Sequence, residues 1–264
     1  MERALRILEG RIQRRAAFAG GLLVIDKTVP NIAAAVAEIN DGMTVMVGGF
    51  GGSGAPLELI HALVDRSRRT GSPVNLTVVN NNAGNGSIGL AAMIAAGMVR
   101  KMICSFPRSS DPRAFTEKYL AGEIELELVP QGTLAERIRA GGAGIPAFYT
   151  PASYGTDIAK GKPVAQFDGK FYVQEPWLKA DVALIKAELA DTLGNLTYRK
   201  AARNFSPLMA AAASHTIVQA SRVVSPGDIH PEAVITPGIY VDRVVEVPNA
   251  QQEEALIRQG VVYA

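Results

Sequence analysis

A chain of 264 residues with 48% hydrophobic and 20% charged residues is typical of a folded globular protein, which excludes a disordered or collagen-like chain. This length, close to the limit of ~250–300 residues for a single core, allows one large domain or two small ones. Lys and Arg number 27 against 25 Asp and Glu, and the resulting net charge of +2 argues against a broad polyphosphate-binding face.

Residues 1–23 are expected to form an extension outside the fold. Residues 1–15 contain five arginines and two glutamates, and the apolar run 16–25 follows them. This run leads into Asp26 without a small-residue cleavage site, and it is too short to span a bilayer. We therefore expect a cytoplasmic protein with no membrane partner.

The remaining chain alternates between predicted strands and helices. Helical periodicity predicts helices at 32–39, 56–64, 88–97, 115–121, 134–140 and 207–214. Apolar and β-branched runs predict strands at 44–47, 75–79, 99–104, 123–129, 182–187, 195–199, 216–224 and 239–247, with a β-hairpin at 166–174. This order predicts one α/β domain over residues 24–248, with a mostly parallel sheet and flanking helices, and then a loose tail at 249–264.

A glycine-rich stretch, Gly49-x-Gly51-x-x-Gly54, lies between a predicted strand and a predicted helix. It matches the dinucleotide-binding fingerprint. The acidic residue that should end the next strand is absent, because that strand ends in asparagines. We favour glycines that admit a close approach by a ligand or another chain. A nicotinamide-dependent oxidoreductase remains the alternative.

Carboxamide side chains follow two of the predicted strands. Asn80, Asn81 and Asn82 end one strand, and Gln131 follows another. Ligands of open α/β sheets bind at the carboxyl ends of strands, and an amide N–H stabilises a developing oxyanion without carrying charge. Taken alone, each of these residues is also compatible with an ordinary turn or a solvated loop.

Two groups of cations are candidate anion binders: Arg108, and the cluster of Arg199, Lys200 and Arg203. The planar guanidinium matches a carboxylate in bidentate fashion, although a surface ion pair explains single arginines more often. Cys104, the single cysteine, is interpreted as a core residue, and it leaves no basis for a disulfide framework. The three histidines show no zinc-binding spacing, so no metal site is expected.

Several longer blocks resemble one known family. They are the glycine-rich block 41–60, the asparagine block 81–84, the block 130–149 with PQGTLAERIR and GGAGIPAFY, and the blocks 154–156 and 198–205. Together they resemble the alpha subunit of class I (3-oxoacid) CoA-transferases over residues 24–247. Within that family, the segments 84–92, 104–108 and 235–240 resemble the branch that acts on 3-oxoadipate. The resemblance implies a NagB/RpiA-like fold.

The resemblance also implies a mechanism shared with a second chain. A beta subunit would carry the nucleophilic glutamate, while acyl-CoA and a 3-oxoacid would be the substrates and no cofactor would be bound permanently. Asn82 would donate to the oxyanion and Gln131 would orient the glutamate. The remaining predicted site residues would shape the substrate pocket: Asn81, Gly49, Phe50, Gly51 and Gly54.

The predicted reaction moves CoA from succinyl-CoA to 3-oxoadipate in the catabolism of aromatic compounds, and no nucleic-acid partner is expected. Because 3-oxoadipate is a dicarboxylate, we assign Arg108 to its far carboxylate as a hypothesis. The alternatives are a subunit specific for acetoacetate, another short-chain 3-oxoacid or acetate, and a purely structural subunit without site residues.

The segment Val24-Ile25-Asp26-Lys27 resembles the start of related subunits. We therefore expect translation to begin at Val24 from a GTG codon, with residues 1–23 absent from the natural protein. The intact mass of the natively expressed protein tests this expectation, and a species that retains Met1 would contradict it.

Overall fold

The structure, a computed structural model, describes residues 16–19 and 22–258. Its strands are, in chain order, β1 (Ala16–Ala19), β2 (Leu22–Ile25), β3 (Thr44–Val47), β4 (Leu76–Val79), β5 (Val99–Cys104), β6 (Glu125–Leu128), β7 (Ala147–Thr150), β8 (Val164–Phe167), β9 (Lys170–Pro176), β10 (Ala180–Asp191), β11 (Leu196–Thr197), β12 (Ala213–Val224) and β13 (Arg243–Glu246). Its α-helices are α1 (Ile32–Ala35), α2 (Leu57–Thr70), α3 (Leu90–Ala95), α4 (Arg113–Leu120), α5 (Gln131–Ala143), α6 (Ser206–Ala212) and α7 (Gln251–Arg258).

The main sheet has the strand order β13-β12-β10-β3-β4-β5-β6, and every neighbouring pair in that order is parallel. The short strand β11 pairs antiparallel with the end of β10. This arrangement confirms the predicted α/β fold with a mostly parallel sheet.

Both faces of the sheet are buried, as the apolar runs of its central strands require. Successive residues of β3 point to opposite faces, so that Val45 joins the core under α2 while Met46 joins the core under α5 and α6. Leu59 and Leu63 of α2 complete the first core, and Leu134 of α5 completes the second. These two layers hold the ends of the strands in fixed positions.

The order of the strands changes direction between β3 and β10. From β3 the chain proceeds through β4 and β5 to the edge strand β6, whereas from β10 it proceeds in the opposite direction to β12 and β13. A reversal of this kind opens a crevice at the carboxyl ends of the two strands, and open α/β sheets bind their ligands there.

A separate three-stranded antiparallel sheet has the order β7-β9-β8. Its hairpin turns at Asp168 and Gly169, whose φ angles of +47° and +75° are both positive. A two-residue hairpin turn of this type requires positive φ at both positions, so the predicted hairpin is confirmed. Strand β7 was not predicted.

Two predictions near the C-terminus differ from the structure. A single strand was predicted for 239–247, but a 3₁₀ turn at Gly238–Tyr240 precedes the shorter β13. Residues 251–258, expected in a loose tail, form α7, whose Gln252 N–H donates to Glu58 at 2.6 Å and whose Glu253 pairs with Lys186. These contacts join distant parts of the chain, so the local sequence pattern did not predict them.

The terminal segments are described only in part. Strands β1 and β2 pair with each other, while residues 1–15 and 20–21 of the expected extension lie outside the described residues. The last part of the expected tail, 259–264, also lies outside them. Among the described residues, no helix combines the length and the apolar character needed to cross a bilayer.

Candidate active site at the carboxyl edge of the sheet

Loops from five strands meet at the carboxyl edge of the sheet. In spatial order, residues 199–205 follow β10 and β11, the glycine loop (residues 48–54) follows β3, and the asparagine corner (Asn80, Asn81 and Asn82) follows β4. Ser105 then follows β5, and Gln131 begins α5 after β6. The fold therefore places the predicted site residues along one edge, where the carboxyl ends of parallel strands predict them.

Asn80 fixes the geometry of the asparagine corner. Its Nδ2 donates to the Val47 carbonyl at 2.6 Å, which ties the end of β4 to the end of β3. Its Oδ1 accepts the backbone N–H of Asn82 at 3.0 Å. Asn80 is 3% exposed, so both contacts are shielded from water. Asn80 therefore has a structural role, because its side chain bends the backbone.

Asn82 is held in one orientation but keeps a donor. Its Oδ1 accepts the Gly84 N–H at 2.8 Å, and its Nδ2 donates to Asn81 Oδ1 at 3.0 Å. An amide nitrogen carries two protons. Among the described contacts the second N–H of Nδ2 has no acceptor, while the residue is only 6% exposed. Asn82 thus presents a fixed, uncharged donor.

This donor borders a small pocket that opens to solvent. Gly48 and Gly51 of the glycine loop form one wall, and Asn80, Asn82 and Gly84 form another. The floor is apolar, with side chains from α2 and from the segment that leads into α3: Leu57, Ile60, Ile88 and Leu90. An apolar lining with a few fixed polar groups is typical of a site that orients a small ligand.

The glycine loop is closed on itself and rests on the segment that follows β10. Phe50 and Ser53 exchange two backbone hydrogen bonds, of 3.0 and 3.1 Å, which leaves the Phe50 ring 51% exposed at the tip. Gly54 has φ +75°, and a Cβ there would lie 2.5 Å from the Ala202 carbonyl oxygen. A ligand or another chain was expected as the close neighbour of these glycines, but for Gly54 it is a segment of the same chain.

Gln131 is connected to the asparagine corner through Ser105. The Ser105 hydroxyl contacts Gln131 Oε1 in a short hydrogen bond and lies 3.0 Å from the Asn81 carbonyl oxygen. The backbone N–H groups of Ser105 and Phe106 also donate to that carbonyl, at 3.2 and 2.9 Å. With Oε1 engaged, Nε2 is the part of the Gln131 amide left to donate.

Sequence reasoning did not assign a role to Ser105. The signal that was available is its position immediately after a buried strand, one residue beyond Cys104. A serine is common in loops for many reasons, so only the contact with Gln131 distinguishes it.

The candidate anion binders are exposed at the same edge. Arg108 lies in the loop after β5, and Arg199, Lys200 and Arg203 lie after β10. None of the four pairs with a carboxylate within the part of the chain that the structure describes. For these residues the alternative of a surface ion pair is therefore without support.

Cys104 and His61 have structural roles. Cys104 is fully buried, and burial raises the pKa of its thiol to about 12, so the thiol stays protonated and unreactive. Burial also lowers the pKa of His61, whose Nε2 accepts the Gly89 N–H at 3.0 Å. In the described ranges, no three His, Cys, Asp or Glu side chains are placed to hold a metal ion together.

Comparison with known proteins agrees with this architecture. The structure resembles the acyl-CoA transferase YdiF of Escherichia coli O157:H7, with a TM-score of 0.74 and 23% identity over 86% of this chain and 48% of that one. It also resembles glutaconate coenzyme A-transferase from Acidaminococcus fermentans, with a TM-score of 0.72 and 22% identity over 84% of this chain and 75% of that one. At these identities the likeness shows the fold.

Sequence relatives are much more similar. The chain is 57% identical over 227 residues to a 3-oxoadipate CoA-transferase subunit of Pseudomonas putida, which covers 86% of this chain and 96% of that protein. It is 52% identical over 232 residues to the protein of the same name from Acinetobacter baylyi, over 88% and 100% of the two chains. A succinyl-CoA:3-ketoacid coenzyme A transferase subunit of Xanthomonas campestris is 51% identical over 230 residues, 86% of this chain and 92% of that protein.

The family model described as Coenzyme A transferase matches residues 29–247. The match includes the glycine loop, the asparagine corner and Gln131, so the loop belongs to this family and the nicotinamide alternative loses its basis. With the parallel sheet, the relatives and the family match in agreement, the chain belongs to the Coenzyme A transferase family.

Proposed function

We propose that this chain is the alpha subunit of a cytoplasmic enzyme that transfers CoA from succinyl-CoA to 3-oxoadipate in the catabolism of aromatic compounds. The observation that carries the proposal is 57% and 52% identity to two proteins named as 3-oxoadipate CoA-transferase subunits, over almost their whole length. The relative named for 3-ketoacids, at 51%, supports acetoacetate or another short 3-oxoacid as the alternative acceptor.

The nucleophile in this proposal is a glutamate of a beta subunit. Its carboxylate attacks the thioester carbonyl of succinyl-CoA, the C–S bond breaks, and an acyl-glutamyl anhydride and a CoA thiolate form. The thiolate then attacks the glutamyl carbonyl of the anhydride, which releases succinate and leaves a glutamyl-CoA thioester. Attack by the carboxylate of 3-oxoadipate reverses these steps and yields 3-oxoadipyl-CoA and the free glutamate.

Asn82 supplies the electrostatic part of this chemistry. Each attack places negative charge on a carbonyl oxygen, and a fixed N–H donor in a site of low water content stabilises that charge. The buried amide of Asn82, with one N–H available beside the cavity, supports this role. Of the residues predicted to shape the pocket, Gly51 lines it, while Asn81 accepts from Asn82 and Gly49 donates to Asn204, which fixes the walls from behind. The exposed Phe50 ring faces outward for contact with the partner or the substrate.

Gln131 orients the glutamate of the partner, and Ser105 positions Gln131. Because the Ser105 hydroxyl engages Oε1, the amide presents Nε2 as a donor, which is the group a carboxylate accepts from. Ser105 does not contact the reacting atoms in this proposal. It acts by fixing which end of the Gln131 amide faces the site.

Reconstitution tests the proposal. CoA transfer from succinyl-CoA is measured with the purified chain alone, with a beta subunit from the same genomic neighbourhood alone, and with the mixture, using 3-oxoadipate and acetoacetate as acceptors. We expect turnover only in the mixture and a higher kcat/KM for 3-oxoadipate. A preference for acetoacetate would overturn the substrate assignment, and turnover by the chain alone would overturn the placement of the nucleophile.

Arg108→Ala tests whether Arg108 binds the far carboxylate of the acceptor. Loss of one charge-assisted contact, worth about 1.5–3 kcal/mol, raises the KM for 3-oxoadipate about 10- to 100-fold. The KM for acetoacetate, which lacks a second carboxylate, stays unchanged in the same variant. Arg113→Ala is the matched control, since Arg113 is exposed nearby but engaged by Asp111 at 2.8 Å. An unchanged KM for 3-oxoadipate in Arg108→Ala would remove the assignment.

A further inference from the structure

Three cations occupy the segment that follows β11, and none of them has a role in the reaction proposed above. Arg199, Lys200 and Arg203 (the cation cluster) lie within five residues, and all three side chains are exposed. None has a carboxylate partner among the described residues. Lys200 has φ +48°, a left-handed conformation that is uncommon for a residue with a side chain. The cluster is therefore an uncompensated positive patch on a constrained backbone.

The neighbouring loops do not neutralise this charge. Residues 48–56 after β3 and residues 80–89 after β4 contain no acidic side chain. The loop after β5 contains one, Asp111, and it is engaged by Arg113. The loops after β3, β4 and β5 thus offer the cluster no unpaired carboxylate, and an uncompensated group of cations attracts an anionic ligand.

The backbone of the cation cluster is fixed against the glycine loop. Asn204 accepts the Gly49 N–H at 3.1 Å and donates to the Ser53 carbonyl at 2.9 Å. Gly54, which has no Cβ, lets the Ala202 backbone approach closely. The backbone that carries the cations consequently has a defined position relative to the glycine loop, which forms one wall of the pocket.

The cation cluster and Arg108 lie on opposite sides of the asparagine corner. The segment that carries the cluster follows β11 and rests on the glycine loop after β3, one neighbour of β4. Arg108 follows β5, the other neighbour of β4. A ligand that reacts beside Asn82 therefore has the cluster on one side and Arg108 on the other.

We propose that Arg199, Lys200 and Arg203 bind the phosphate groups at the nucleotide end of CoA. This inference rests on the proposed function, in which an acyl-CoA reacts beside Asn82. The thioester lies at the cavity, the pantetheine arm passes over the glycine loop, and the phosphates reach the cluster, where planar guanidinium groups contact phosphate oxygens in bidentate fashion. The succinyl or 3-oxoadipyl group extends the other way, toward β5.

The test separates the phosphates from the rest of the thioester. The reconstituted enzyme is assayed with succinyl-CoA and with succinyl-pantetheine, which has the same thioester and no phosphate. For the double variant Arg199→Gln/Arg203→Gln we expect the KM for succinyl-CoA to rise about tenfold, because exposed charged contacts contribute modestly. The KM for succinyl-pantetheine stays at the wild-type value. Equal changes for both thioesters, or no change for either, would overturn the proposal.

A matched control and a second readout complete the design. Arg69→Gln removes an equally exposed arginine at the far end of α2, on the opposite edge of the sheet, and leaves both KM values unchanged. Raising the salt concentration raises the KM of the wild type for succinyl-CoA, and this dependence is weaker in the double variant. An identical salt dependence in the two proteins would contradict the inference.

Calorimetric titration of the complex with CoA distinguishes failure of this inference from failure of the proposed function. If the wild type transfers CoA to neither acid but binds CoA more tightly than the double variant does, the function is wrong and the phosphate site stands. If transfer to 3-oxoadipate occurs and the Kd for CoA is the same in both proteins, the phosphate site is wrong and the function stands.

Discussion

Replacing Asn82 by Asp lowers the kcat of the reconstituted enzyme about 10²- to 10³-fold. Removal of one oxyanion donor has an effect of this size, because the lost hydrogen bond is strongest in the transition state. The substitution is chosen for its geometry. A carboxylate still accepts the Gly84 N–H, which Asn82 Oδ1 accepts at 2.8 Å, so the bond that bends the loop is retained. The second carboxylate oxygen replaces Nδ2, so the N–H donor and the contact with Asn81 Oδ1 are both lost and a negative charge is added beside the developing oxyanion.

The change in kcat relative to the change in KM shows whether the lost N–H donor acts in the transition state. An interaction made only in the transition state lowers kcat and kcat/KM equally, so the KM for succinyl-CoA changes little. Asn82→Ala removes the donor and the loop contact together, and its lower melting temperature reports the second loss separately. Turnover of Asn82→Asp within tenfold of the wild type, in a folded complex, would exclude the oxyanion role and favour a purely structural role for this chain.

Much of the framework around Asn82 was predictable because its signals are local. The strand that became β3, the glycines after it and the helix that became α2 form one continuous pattern within 27 residues, 44–70. The placement of the asparagine corner at a ligand-binding edge followed from the carboxyl end of β4 alone. The positive φ angles of Asp168 and Gly169 were likewise predictable, because an Asp-Gly pair between two strands is typical of this hairpin turn.

The contacts that shape the site were not predictable, since they join distant parts of the chain. Ser105 contacts Gln131 across 26 residues, and both residue types are ordinary in loops. Asn204 reaches Gly49 across 155 residues, although the two belong to different predicted elements. Helix α7 was missed for a related reason: its position depends on Glu58 and Lys186, not on a strong pattern of its own.

The long-range contact at Gly54 leads to the second large effect: Gly54→Ala destabilises the chain and lowers kcat together. The φ of +75° alone costs a residue with a Cβ about 1–2 kcal/mol. The new Cβ would also lie 2.5 Å from the Ala202 carbonyl oxygen and 2.9 Å from its Cα, so the backbone must move. Overpacking of this kind adds about 1–3 kcal/mol.

Gly71→Ala separates these two costs. Gly71 has the same φ of +75°, but a Cβ there meets nothing within 4 Å. The decrease in the free energy of unfolding of Gly71→Ala, measured in urea, therefore gives the cost of the φ strain. The further decrease in Gly54→Ala gives the cost of the contact with Ala202. We expect Gly54→Ala to be the less stable by about 1–3 kcal/mol, equivalent to several degrees in Tm for a chain of this size.

Activity distinguishes a site role for the Gly54 contact from a purely structural one. A shift of the Ala202 backbone displaces Asn204, which holds the glycine loop through Gly49 and Ser53, and the loop forms one wall of the cavity. Gly54→Ala therefore lowers kcat below that of Gly71→Ala when both are assayed in the reconstituted enzyme, well below their melting temperatures. Equal kcat values for two variants of unequal stability would show that the wall of the cavity does not depend on this contact.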